Sequence, residues 1–348
     1  MIATQTAQAP TATPPLISAE VVAEFDDLLD KLVEQDLFTG SVLLAYQGNV
    51  LISQGYGLAD REQNIPNTAQ TRYRIASMTK QFTAMAILIL ASHGKLDVQD
   101  PICKYLDDCP PTWETITIHH LLTHTSGLID CITIPGYQGL VSTPTAPLQI
   151  ISLVKDSPLD FQPGEKFSYN QTGYILLGII IERVSGQSYE NFLQQSIFTP
   201  VGMQDSGFDH NAQGVAVGYA QMSSSSPASF VDLTFISSTG ALYSTVEDLY
   251  RWSQALSTEK LVPQAYLDKM FTPYVVNQDD GSEYGYGTMI STSHDRPING
   301  HYGGISGFRS VFARYPDDQI TFIILSNWEG QNVDFFLSWL GDKIFGEN

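Results

Sequence analysis

The sequence predicts an α/β (α+β) fold: one antiparallel sheet assembled from both chain ends, flanked by helices, with a mainly helical lobe inserted between them. Three observations carry this prediction. A β-hairpin pattern lies near each end, an amphipathic helix lies outside each hairpin, and the middle is helix-patterned with loops rich in Pro and Gly. The first helix is read from Val21, Val22, Phe25, Leu28, Leu29, Leu32 and Val33, which recur at helical spacing behind Ser18 as a cap. The first hairpin joins residues 41–46 to 50–53 across Gln47-Gly48-Asn49, and the second joins 308–313 to 320–325 across Pro316-Asp317-Asp318. Phe335, Phe336, Trp339, Leu340 and Ile344 give the last helix its apolar face. Ahead of all this, residues 1–17, with Pro10, Pro14 and Pro15, read as a disordered, linker-like segment. The expected domain is then 18–348, with an α/β lobe of about 18–76 and 226–348 and a helical lobe of about 77–225. A cleft between the lobes is the expected place for a site.

The chain has 348 residues, 43% of them hydrophobic, which is enough for a sizeable core. Lys+Arg number 17 against Asp+Glu 37, a net charge of −20 that repels phosphate backbones and anionic lipid. No nucleic-acid partner and no polybasic membrane anchor are expected. No stretch has the apolar length of a transmembrane anchor. Met1-Ile2-Ala3-Thr4-Gln5 lacks the basic and apolar regions of a secretory signal. A charged fraction of only 16% nevertheless favours a periplasmic or secreted protein over a cytoplasmic one. Cys103, Cys109 and Cys131 are too few for a disulfide scaffold. Cys103 and Cys109 bracket a short Pro-bounded loop, where a disulfide and two free thiols are equally good readings.

Ser77-Met78-Thr79-Lys80 is an S-x-x-K, a spacing that Ser92/Lys95, Ser152/Lys155 and Ser257/Lys260 share. Context separates them. Ser77 follows an extended segment and opens an apolar helix running to residue 90, whereas Ser92 sits at that helix's end and the other two pairs fall on surface-like stretches. A serine at a helix start is often only a cap. Nucleophilic chemistry asks for a nearby base as well, and Lys80, three residues on, shares the serine's helical face. A lysine in an otherwise apolar helix is costly unless it is partnered, which marks function. His119, His120 and His124 suggest a metal at first sight, but there is no His-Glu-x-x-His and no evident third ligand, so neither a metal nor any other cofactor is expected. Tyr284-Gly285-Tyr286-Gly287 reads either as a wall of the cleft or as plain turns.

The segment Arg74-Ile75-Ala76-Ser77-Met78-Thr79-Lys80-Gln81-Phe82-Thr83-Ala84 resembles the nucleophile segment of the superfamily of class C β-lactamases, D-alanyl-D-alanine carboxypeptidases and related esterases and D-amino-acid amidases. Further segments resemble it in the same order: residues 120–128, 163–174, 240–249 and His301-Tyr302-Gly303-Gly304. The resemblance implies a β-lactamase/transpeptidase-like fold and a serine hydrolase that works through an acyl-enzyme on a small-molecule or peptide substrate. It assigns Ser77, Lys80 and Tyr169 as catalytic, and Ser77 and Gly304 N–H groups as the oxyanion hole. It makes Gln171, His301, Tyr302 and Gly303 substrate-binding. Two departures stand out. Gln171 replaces the asparagine two residues after the tyrosine, and His301-Tyr302-Gly303 replaces a Lys- or His-Thr-Gly. His301 and Tyr302 favour a peptidase or esterase over an efficient β-lactamase, and Gln171 and Tyr302 motivate the alternative of a non-catalytic penicillin- or peptidoglycan-binding sensor. Ser168-Tyr169-Asn170 offers a second, S-x-N register. The literal Y-x-N, Tyr189-Glu190-Asn191, falls in a helical pattern and reads as surface. The tyrosine's pKa is expected to be depressed by the lysine ammonium, with the two titrating as a unit.

Overall fold

The structure, a computed structural model, describes residues 16–210 and 214–346. Strands β1 (Gly40–Tyr46) and β2 (Asn49–Tyr56) form the first hairpin. Strands β3 (Val275–Val276), β4 (Glu283–Tyr284), β5 (Met289–Ser293), β6 (Arg296–Ile305), β7 (Phe308–Tyr315) and β8 (Ile320–Ser326) follow late in the chain. The eight strands form one antiparallel sheet in the order β2-β1-β8-β7-β6-β5-β4-β3. The two chain ends meet where β1 pairs β8, from Gly40↔Ser326 to Tyr46↔Ile320.

The sheet interior is buried on both faces, and the period of two along β8 divides them. Phe322 and Ile324 pack with Phe25 and Leu29 of helix α1 (Ala19–Glu34) and with Phe336 and Leu340 of the C-terminal helix. Ile323 and Leu325 point the other way, into the larger core of the helical middle. Phe25 lies edge-on to Phe322 at 5.8 Å and stacks on Trp339 at 5.2 Å. Burying each such ring contributes roughly 2–3 kcal/mol. Ser18 caps α1, its hydroxyl accepting the Val21 N–H at 3.2 Å.

Helix α2 (Thr79–Ser92) is the axis of the larger core, buried from Thr79 through Ala91. A helix apolar on every side has to sit inside a protein. It lies against α3 (Gln171–Ser185), and Phe82 stacks at 4.4 Å on Trp252 of α4 (Val246–Ala255). The last helix is α5 (Val333–Phe345), capped by Asn332. None of the described helices is long and apolar enough to cross a membrane.

Two sequence readings change and one left open is decided. Ile17, assigned to the N-terminal segment, is 4% exposed and packed beneath the sheet, so the folded body starts before residue 18; residues 1–15 lie outside the described residues. Tyr189 is core rather than surface, its hydroxyl 2.5 Å from Thr83 Oγ1 on α2. Cys103 and Cys109 are joined by a disulfide with Cα atoms 5.3 Å apart, while Cys131 is a buried free thiol.

Candidate active site

Ser77 sits in the single 3₁₀ turn Ala76–Met78 that feeds directly into α2. The chain reaches it along a short strand, Tyr73–Arg74, which pairs with Leu242–Ser244. The Ile75 N–H donates to the Leu242 carbonyl at 2.9 Å, and the Ile75 carbonyl accepts the Ser310 hydroxyl of β7 at 3.2 Å. Two segments far apart in the chain therefore clamp the turn. Ala76 has φ +47°, a conformation a residue with a Cβ rarely adopts, and packing around the buried alanine holds it there.

Lys80 is fully buried. Its Nζ lies 2.9 Å from Gln171 Oε1, 3.1 Å from the Thr239 carbonyl oxygen and 3.4 Å from Ser77 Oγ. Two of these partners are acceptors only, so each takes one N–H. The third direction faces the serine. Burial lowers the Lys80 pKa to about 7, with nearby Asp130 acting the other way. In the uncharged amine the third direction is a lone pair aimed at the Ser77 hydroxyl. This arrangement can take up the serine proton.

Tyr169 presents its ring to Lys80, with Nζ 4.8 Å from the ring centroid, and its phenol interacts with the Ser77 hydroxyl. Burial raises its pKa, with Ser77 opposing. The sequence expectation ran in the other direction. It took the lysine charge as the dominant influence, whereas loss of water around the phenol is the larger one. Gln171 keeps its contact with Lys80 despite the extra methylene. Asn170 is taken up otherwise: it caps α3 by accepting the Gly173 N–H at 2.8 Å, and its amide donates to the Leu128 carbonyl. The S-x-N register therefore has its asparagine facing away from Lys80.

His301 is 4% exposed, with Nε2 3.0 Å from the Tyr284 hydroxyl and Nδ1 2.6 Å from the Tyr302 carbonyl. Burial, then Lys80, lowers its pKa to about 3, so the imidazole is neutral at ordinary pH. His119 and His120 meet separate partners, Tyr286 and Thr117, and His124 Nδ1 accepts the Asn170 N–H at 3.1 Å.

Strand β6 pairs β7 as far as Ile305 but pairs β5 only as far as Gly300. Its edge from His301 to Ile305 is therefore free on the β5 side. Ser77, Phe167, Tyr169, Tyr284, His301, Tyr302, Gly303 and Gly304 line one cleft there, with a volume of about 590 Å³. A Cβ on Gly303 would lie 2.1 Å from the Ile75 carbonyl and 2.3 Å from Ser310 Oγ. Only glycine lets the strand backbone touch the nucleophile turn. Gly303→Ala is expected to push β6 off that turn and cut kcat/KM by about 100-fold or more, the scale of losing one oxyanion donor. An unchanged rate in a folded variant would refute this. Tyr302 is set away from the nucleophile, packed toward the terminal helices and interacting with Asp334 at the cleft's outer end.

Asp130 and Thr239 were missed as site residues in the sequence, whereas Tyr284, read there as either a cleft wall or a turn, lines the cleft. Asp130 Oδ1 accepts the Gln171 N–H at 3.2 Å, and its charge is the leading influence that raises the Lys80 pKa. Its only sequence signal was its place just after the segment 120–128. Removing that charge lowers the Lys80 pKa further. Asp130→Asn is therefore expected to move the acidic limb of a kcat/KM–pH profile to lower pH, and a limb that stays put or rises would refute it.

A family model described as Beta-lactamase matches residues 25–343. The chain is 32% identical over 327 residues to Penicillin-binding protein 4* of Bacillus subtilis, covering 87% of this chain and 71% of that protein. A solved penicillin-binding protein from Bacillus halodurans superposes with a TM-score of 0.78 at 30% identity, covering 89% of this chain and 97% of the other. D-amino acid amidase from Ochrobactrum anthropi shares the fold, with a TM-score of 0.78 at 24% identity over 93% of this chain and 97% of the other.

Proposed function

This chain belongs to the Beta-lactamase family of serine hydrolases, and we propose that it cleaves amide or ester bonds through an acyl-enzyme on Ser77. Its activity is of the D-alanyl peptidase or esterase kind, with little or no β-lactamase activity. One observation carries the proposal: two of the three directions around the buried Lys80 amine are taken by acceptors, and the third faces Ser77 Oγ. Neutral Lys80 takes the hydroxyl proton as Oγ bonds to the substrate carbonyl carbon, whose π pair moves to oxygen. The Ser77 and Gly304 N–H groups hold that oxyanion, each worth about 3 kcal/mol. As the pair returns, the bond to the leaving group breaks. The Tyr169 phenol supplies the departing atom's proton and recovers one from the Lys80 ammonium. Water then adds to the acyl carbon, giving its proton back through the same pair, and the acid departs as Ser77 regains its hydrogen.

His301 supports the weak-β-lactamase part of this reading, because a neutral imidazole offers a substrate carboxylate no counter-charge. The alternative of a silent binder is disfavoured by the depressed Lys80 pKa, which a binder does not need. The test is a hydrolysis panel of p-nitrophenyl acyl esters, D-alanyl-D-alanine peptides and nitrocefin, with the adduct of a fluorescent fluorophosphonate mapped by peptide mass. Ester or peptide turnover with the label on Ser77 is the expected result. A label elsewhere, or nitrocefin as the best substrate, would overturn it.

A further inference from the structure

A buried cation lies on β7 at the end away from the catalytic cleft. Arg314 is 6% exposed, and among the described residues no carboxylate lies within ion-pair distance of it. Burial alone acts on its pKa, lowering it to about 10, so the guanidinium stays charged at neutral pH. Its Nη2 donates to Ser257 Oγ at 2.6 Å, and the Phe271 ring centroid lies 5.5 Å from Cζ. Among the described residues Nε and Nη1 donate to nothing, yet neither is sealed off. Burying an unpaired charge is costly. The C-terminus of α4 beside Ser257 offers roughly half a negative charge, which leaves the rest uncompensated.

Arg314 lines a hollow of about 380 Å³. The floor is one face of the sheet, where Arg314, Thr321 and Ala45 stand side by side in register across β7, β8 and β1. The roof is α4, with Tyr250 and Ser253, whose hydroxyl meets that of Thr321 at 2.7 Å. The turns of the two terminal hairpins close one end. No residue here lines the catalytic cleft, and Ser310, which holds the nucleophile turn, is about 13 Å away along β7.

We propose that this hollow binds a small organic carboxylate, with its head group on the Arg314 guanidinium and its body against Tyr250 and Ala45. The planar fork of N–H groups matches the two oxygens of a carboxylate. One guanidinium neutralises a single charge, and a dianion would bring a second one into a chain whose net charge is −20. A hollow of this size admits a small ring or short alkyl chain behind the head group. The site stands apart from the acyl-enzyme reading and does not depend on it.

Titration calorimetry and thermal unfolding with benzoate, its neutral amide benzamide and inorganic phosphate, in a buffer free of other carboxylates, test this directly. Benzoate is expected to bind at least about ten-fold tighter than either of the others and to raise the melting temperature with concentration. Two variants locate the binding. Arg314→Met removes the fork together with an unpaired buried charge, so without benzoate it should melt no lower than wild type, and benzoate should no longer shift it. Ser257→Asp sets a carboxylate on the guanidinium from an exposed position. It is expected to raise the melting temperature by itself and to weaken benzoate at least about ten-fold. No saturable benzoate binding up to about 10 mM, equal binding of benzamide or phosphate, or benzoate binding that survives Ser257→Asp in the folded protein would overturn the site.

Discussion

Ser77→Ala is expected to lower kcat/KM on any acyl substrate by at least about 10⁴-fold and to abolish covalent labelling, because among the described residues Ser77 is the only hydroxyl or thiol side chain in contact with the Lys80 amine. Removing the hydroxyl leaves the Lys80 lone pair, the Gly304 edge and the cleft intact, so substrate binding should survive. This makes the prediction specific. Affinity for a neutral boronate falls, since its covalent bond is lost, whereas KM for a slowly turned-over ester stays within a few-fold. Melting temperature should hardly move, as the side chain's loss leaves both Ile75 backbone clamps in place. Retained labelling, or a loss of activity matched by a loss of folding, would contradict the role assigned to Ser77.

Lys80→Met is expected to remove about 10²- to 10⁴-fold of activity, the usual worth of a positioned general base. In the wild type the same residue sets the pH dependence. With a pKa of about 7, the competent neutral amine is lost below that pH, so kcat/KM should fall about ten-fold per pH unit on the acid side. Stability carries a second signature. Folding lowers the lysine pKa from its ordinary 10.5 to about 7, so between these values the unfolded chain binds the proton and the folded chain does not. Stability therefore rises with pH across that window, and is flat with respect to this group below about 7, where both states are protonated. Lys80→Met lacks the effect. The wild-type-minus-mutant stability should increase by on the order of 3 kcal/mol between pH 7 and 9.5, measured by urea unfolding. A difference independent of pH would mean that Lys80 keeps its ordinary titration and cannot be a base at neutrality.

The sheet, its terminal helices and the S-x-x-K were legible in the sequence because each depends on a local period or a short spacing. Ser18 as cap and both hairpin turns follow from residue types within a few positions. Tyr189 shows where that reasoning fails: a helical surface pattern says nothing about which distant helix covers it, and here Thr83 of α2 does. Tyr169 was reached through an ordered set of motifs, not through any local signal. Asp130 had no such support, and its relation to Lys80 exists only because α3 starts beside it.

The direction of the proton equilibrium belonged to the tertiary structure alone. From sequence, a lysine near a tyrosine implied a charged amine and a more acidic phenol. Desolvation reversed this, of Lys80 by the helices packed around it and of the Tyr169 phenol by the cleft wall, because removing water penalises the charged form of either group, lowering the amine and raising the phenol. The sequence by itself determined which residues are available and which elements carry them. Their protonation and the partners around Lys80 arise from distances between segments far apart in the chain, and a desolvation energy exists only once those segments have closed around the group.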